Sequence, residues 1–126
     1  MISDQPEFVP PESDKHSGWL VKDGKVLASL EICDSRRSRA VGLLGREGID
    51  GAILLSPARS VHSFGMKFGL DVAFLNASGV VVRTMRLHRN RVTLPVWRAC
   101  CVVEAEAGAF GQWDLSLGDE LEVRRL

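Results

Sequence analysis

The sequence predicts an α+β fold dominated by β-structure: a sheet or barrel of about seven strands with one or two short helices. Short apolar runs recur along the chain, and several of them alternate with polar residues at a period of two. Glycine, asparagine and aspartate stand between most of these runs, as turns require. The regular succession of strand and helix that builds a doubly wound sheet is not seen.

The length of 126 residues, with 45% hydrophobic and 25% charged residues, is typical of one globular domain. We expect this domain to span residues 17–126. Residues 1–16 are acidic and contain Pro6, Pro10 and Pro11, which predicts a disordered tail. This segment does not have the pattern of a signal peptide, and no run of eighteen apolar residues follows, so we expect a cytoplasmic protein without a membrane span.

The first ordered part of the chain is predicted to be a hairpin followed by a helix. Residues 18–21 and the alternating residues 26–33 flank Asp23-Gly24, a strong two-residue turn signal. Ser35 then stands where the N-cap of a helix over 36–45 would lie.

Strand patterns return after residue 51. They cover residues 53–55, 72–75, 80–88 and 99–107, and a last one follows the Gly118-Asp119 turn signal. Residues 90–95 are typical of a loop, and residues 108–113 of a helical turn.

The neutral total charge conceals a basic middle between two acidic ends. Residues 34–103 carry eleven basic and four acidic side chains, a net of +7, whereas residues 1–33 carry −3 and residues 104–126 carry −4. The acidic ends could fold back and pair with the middle, or the middle could present a positive surface to an anion. The neutral total argues against a dedicated nucleic-acid-binding protein.

The three cysteines, Cys33, Cys100 and Cys101, predict free thiols in a reducing compartment. Their number is odd, and none forms a C-x-x-C pair. We interpret them as buried and inert, because the sequence shows no base that would activate a nucleophilic thiol.

Three blocks of sequence resemble one prokaryotic family, the domain of unknown function 192 family. The blocks are residues 39–46, residues 60–66 followed by 70–75 and Gly79, and residues 103–105 with Gly108 and Gly118-Asp119. The resemblance spans residues 25–124 and implies a compact, β-rich domain of mixed barrel-like form, with no assigned activity. The chain differs from many members at Phe64-Gly65-Met66, where they have Trp-Met, and at Gly69, where they have proline.

The leading functional hypothesis is a non-enzymatic module that binds a small anionic ligand or a peptide. Arg39 and Arg46 flank the predicted helix and could hold an anion between them, or could equally make structural salt bridges with carboxylates of the chain. Arg59, His62 and Asp71 stand in the densest group of polar residues among apolar ones, and these five residues form the predicted ligand site. Asp71 could instead bind turn amides or an arginine.

Two other functions are open. Histidine is the side chain best suited to acid–base chemistry near neutral pH, so His62 could act as a general acid or base, with Asp71 orienting it and Ser63 or water as nucleophile. Neighbours along a strand, however, point to opposite faces. Trp97, in a loop after Pro95, could dock on a protein partner. The histidines have no metal-ligand spacing, so neither metal nor cofactor is predicted; the oligomeric state stays open.

Overall fold

The turn at Asp23-Gly24 forms because both residues adopt positive φ angles, 51° and 77°, which this two-residue hairpin requires. It joins the first two strands in the computed structural model, which describes residues 15–34 and 47–126. In these two segments the chain forms seven strands and one short helix. They are β1 Lys15–Lys22, β2 Lys25–Cys33, β3 Ala52–Leu55, β4 Leu70–Leu75, β5 Val81–Leu87, β6 Cys101–Glu106, α1 Ala109–Trp113 and β7 Leu121–Arg125.

The strands form one mixed sheet in the order β5-β4-β6-β3-β2-β1-β7. Strands β2 and β3 are parallel, and the other neighbouring pairs are antiparallel. An antiparallel bridge between Val80 and Glu120 brings the beginning of β5 close to the beginning of β7. In the described segments these outer strands form no ladder with each other, so the sheet is not closed. The barrel-like form therefore stays a prediction.

Both faces of the central strands are buried, which explains why β3, β4 and β6 are mostly apolar. Successive residues of β3, β4 and β6 point to opposite faces, because the side-chain period of a strand is two. The face covered by α1, called the helix face, includes Ala73, Leu75, Val103, Phe110 and Leu115. The face covered by connecting loops, called the loop face, includes Val61, Met66, Val72, Phe74 and Val102.

The predicted β-dominated fold is confirmed, with strand ends that differ by up to a few residues from the sequence patterns. The helical turn predicted over 108–113 is confirmed as α1. Of the predicted tail, residues 1–14 lie outside the described residues, and β1 already begins at Lys15. The predicted helix over 36–45 also lies outside them. No helix in the described segments is long and apolar enough to cross a bilayer.

Candidate functional site

Two loops that cover the loop face pair with each other as a short two-stranded ribbon. Residues 59–64 and 91–96 form this element, here called the loop ribbon. Its centre is an antiparallel bridge between His62 and Val92. The N–H groups of Ser63, Thr93 and Val96 donate to the carbonyl oxygens of Arg91, Val61 and Arg59 at 2.8, 2.9 and 2.8 Å.

Two buried hydroxyl groups hold the loop ribbon together. The Oγ of Ser63, which is fully buried, donates to the carbonyl oxygen of His88 at 2.6 Å and accepts from the N–H of Arg91 at 2.9 Å. The Oγ1 of Thr93 accepts from the N–H of Val61 at 3.0 Å. These bonds satisfy backbone groups that would otherwise be buried without partners, so they fix the two segments in register.

The loop ribbon has one face in the core and one in solvent. Val61, Ser63 and Thr93 are buried, and the residues between them point outward, as strand alternation requires. The large apolar side chains on or beside the outer face are Phe64, Val92, Leu94 and Trp97, which are 49%, 61%, 84% and 76% exposed. Apolar side chains grouped on a surface in this way are typical of a contact site.

The two segments that form this surface are basic and contain no acidic residue. Residues 59–67 and 88–98 contain no Asp or Glu. Their basic residues are Arg59, His62, Lys67, His88, Arg89, Arg91 and Arg98. Lys67 pairs with Glu47 at 2.7 Å, but the four arginines form no ion pair with any carboxylate of the described segments. Within the described residues, no ion pair therefore neutralises their positive charge.

The structure brings together only part of the predicted ligand site. Arg59 and His62 both lie exposed on the loop ribbon. Arg39 and Arg46 fall in the segment that is outside the described residues. Asp71 lies in β4 and alternates with Ala73, so its side chain is on the helix face, away from the loop ribbon.

Asp71 is a structural residue, which corrects its inclusion in the predicted site. The residue is 4% exposed. Its Oδ2 accepts hydrogen bonds from the N–H groups of Gly108 and Phe110 at 2.9 and 3.1 Å. Oδ1 accepts from Nε of Arg86, on the adjacent β5, at 3.0 Å. Asp71 thus binds turn amides and an arginine, the alternative role that the sequence allowed.

His62 is exposed, and its neighbours are those of a binding residue and not of a catalytic base. Its Nδ1 accepts the N–H of Phe64 at 3.2 Å, and the two rings stack with centroids 5.3 Å apart. Within the described residues no carboxylate or hydroxyl group hydrogen-bonds to it. Ser63 points into the protein, so these neighbouring residues do not form the nucleophile and base of a hydrolase.

One buried acid was missed by the sequence analysis. Glu104 in β6 is 2% exposed and lies on the loop face between Ile53 and Val72. No described residue pairs with its carboxyl group, and burial raises its pKa to about 8. The only signal in the sequence was the position of Glu104 within an apolar strand.

The remaining polar groups of the described residues are not grouped as metal ligands. In residues 15–34 and 47–126, no three His, Cys, Asp or Glu side chains are grouped so that they could hold an ion.

Comparison with known proteins finds relatives that match this chain over most of its length and over nearly all of their own. It is 28% identical over 112 residues to a UPF0127 protein of Pyrococcus furiosus, covering 85% of this chain and 97% of that protein. A UPF0127 protein of Pyrococcus abyssi is 26% identical over 113 residues, covering 83% and 97%.

Two crystal structures share the fold. One, from Sinorhizobium meliloti, is provisionally described as a transcription regulator and superposes with a TM-score of 0.72 at 19% identity, covering 86% of this chain and 93% of that one. The other, from Novosphingobium aromaticivorans, has unknown function and a TM-score of 0.66 at 15% identity, covering 85% and 83%. The sequence profile of the domain of unknown function 192 family, described as "Uncharacterized ACR", matches residues 19–123. The chain belongs to this family, whose function is unknown.

Proposed function

We propose that the protein is a non-enzymatic binding module that recognises an anionic ligand or an acidic peptide through the loop ribbon. The observation that carries the proposal is the group of arginines on and beside the ribbon, Arg59, Arg89, Arg91 and Arg98, with no carboxylate among residues 59–67 and 88–98. An anion in contact with such a group gains charge-assisted hydrogen bonds without first displacing a competing carboxylate.

The guanidinium groups of two of these arginines are partly fixed by the protein. Nε of Arg89 donates to the carbonyl oxygen of Met66 at 3.1 Å, and an Nη of Arg91 donates to the carbonyl oxygen of Asn90 at 3.2 Å. Each guanidinium group has five N–H donors, so several stay available to a ligand. A side chain that is already held loses less conformational entropy on binding, which supports recognition.

The proposal includes a reducing compartment, the cytoplasm. Cys33, Cys100 and Cys101 form no disulfide bond, and Cys33 is fully buried on the loop face. Cysteines without disulfide bonds are usual where glutathione keeps thiols reduced.

The proposal can be tested with fluorescein-labelled deca-glutamate as the anionic probe. Fluorescence anisotropy would be measured at increasing salt for the wild type and for the double variant R59A/R98A. We expect the variant to bind about tenfold more weakly, because two of the unpaired cations are removed, and we expect salt to weaken the wild-type complex.

The matched control is K25A/R124A, which removes two exposed cations from β2 and β7, in the half of the sheet opposite β5. It should bind the probe within about twofold of the wild type, since charges beyond a Debye length are largely screened. Equal losses in both double variants would show that only net charge matters and would overturn the proposal, as would the absence of salt-dependent binding.

A further inference from the structure

The strand edge at Val92 and Leu94 has no partner among residues 15–34 and 47–126. In the loop ribbon, the carbonyl oxygen of Arg91 and the N–H of Thr93 point toward residues 61 and 63, with which they bond. Because backbone groups of successive residues in a strand point to opposite edges, the N–H and C=O groups of Val92 point the other way, and continued alternation would direct those of Leu94 to the same edge. None of these four groups has a hydrogen bond within the described segments.

This edge is accessible and already extended. Val92 and Leu94 are 61% and 84% exposed. Leu94 precedes Pro95, and a residue before proline is confined to extended conformations. Unpaired, extended and exposed backbone is a template on which another chain can add a strand.

We propose that a partner polypeptide binds here as an added strand, an extended acidic segment that alternates acidic and apolar side chains along Val92–Leu94. The inference rests on the proposed function and names the partner class for the same surface. Backbone hydrogen bonds would give affinity along the edge, and alternate side chains would give specificity.

The side chains around the edge determine the chemistry of that segment. An added strand would lie about 4.8 Å from the edge, so its outward side chains would contact Val92 and Leu94 and would have to be apolar. Trp97, 76% exposed, extends this apolar area. Arg91 and Arg98 flank the segment in the sequence and supply the charge that acidic residues of the partner would neutralise.

The same observations favour a polypeptide over a single-stranded nucleic acid. A nucleic acid would use the arginines and stack bases on aromatic rings. It has no amide ladder to pair with the four unpaired backbone groups, and it gains little from the aliphatic side chains of Val92 and Leu94. An acidic peptide uses all three features.

The test uses backbone N-methylation of a peptide probe, which removes amide donors without changing charge. The parent is a labelled decapeptide of alternating glutamate and valine. One derivative is N-methylated at every valine, and the other at every glutamate. Since a strand pairs through one edge at a time, one derivative should bind at least about tenfold more weakly, while the other stays within about threefold.

Equal affinity of the parent and both derivatives would overturn strand addition, and so would equal loss in both. In either case deca-glutamate can still bind in a manner that depends on Arg59 and Arg98, which would leave the proposed function intact. Labelled oligo-dT of equal charge serves as the nucleic-acid probe. If it bound more tightly than the parent peptide, the polypeptide partner would be rejected.

Two variants test the same edge from the side of the protein. L94P removes the N–H of Leu94, whereas L94A keeps it and shortens the side chain. We expect L94P to lose about tenfold in affinity for the parent peptide and L94A markedly less. Equal affinities of the two variants, with thermal unfolding showing both folded, would contradict the inference.

Discussion

The N–H of Phe110 donates a hydrogen bond of 3.1 Å to Oδ2 of Asp71, which links the central strand β4 to the short helix α1. The same oxygen accepts the N–H of Gly108 at 2.9 Å, so a single carboxylate oxygen satisfies two donors at the beginning of a five-residue helix. This helix is too short to be stable by itself. Its position therefore depends on Asp71 and on the packing of Phe110 into the core.

Replacing Asp71 should be among the more destabilising single changes on the helix face. D71A leaves the N–H groups of Gly108 and Phe110 without their acceptor, and we expect the free energy of unfolding to fall by about 3 kcal/mol in urea titration. R86A removes only the half-exposed partner of Asp71 and should cost less than about 1 kcal/mol. A cost of D71A no larger than that of R86A would contradict this role.

Glu104 should make stability depend on pH in the alkaline direction. Its pKa is about 8 in the folded protein, above the ordinary value of 4.5, because burial disfavours the charged form. The stabilising contribution of a group with a raised pKa is fully present below pH 4.5 and is lost as pH rises through 8. The loss should be on the order of 1 kcal/mol per pH unit between these values.

The measurement compares the wild type with E104Q, which keeps the shape and cannot ionise. Urea unfolding at several pH values between 5 and 9 gives the free energy of unfolding of each protein. In the difference between the two proteins, the contributions of all other titrating groups largely cancel. We expect the free energy of unfolding of E104Q to increase relative to that of the wild type as pH rises. A difference that is independent of pH would show that Glu104 does not titrate in this range. E120Q, at an exposed position, is the control.

Ser63 should be required for the order of the loop ribbon. S63A removes the hydroxyl that bonds the carbonyl oxygen of His88 and the N–H of Arg91, at a fully buried position. We expect a loss of about 1–3 kcal/mol and faster hydrogen exchange at the N–H of Arg91. S60A, at an exposed position of the same segment, should change stability by less than about 0.5 kcal/mol. Unchanged exchange in S63A would argue against this role.

The thiol of Cys101 should react slowly in the folded protein. Burial, and then the neighbouring Cys100, raise the pKa of Cys101 from 9.0 to about 12, which lowers its thiolate fraction on the order of a thousandfold. Cys33 is fully buried. Titration of the folded protein with a chromogenic disulfide at pH 8 should therefore show a rapid reaction of the Cys100 thiol at most. In denaturant, all three thiols should react. Rapid reaction of the native C100S variant would contradict the prediction.

The strands could be predicted from the sequence because their signals are local. The Asp23-Gly24 turn and the alternation from residue 26 to residue 33 depend on backbone conformation and on the two faces of a strand. The continuous apolar runs at 53–55 and 72–75 likewise indicated a sheet buried on both sides. The order of the strands in the sheet could not be predicted from the sequence, because β3 pairs with β6 and β6 with β4, and these segments are distant in the sequence.

The sequence by itself determined that the chain is β-dominated, that it belongs with the domain of unknown function 192 family, and that its basic residues concentrate in the middle. Composition, period and spacing are properties of the chain, and they need no contacts. Tertiary structure alone decided which of those residues lie close together. It places Asp71 on the helix face and buries Glu104, whose carboxyl group has no partner among the described residues. It also paired residues 59–64 with 91–96, so that Arg59, His62 and Trp97 belong to one surface. Long-range backbone pairing made that surface, and no local pattern could have predicted it.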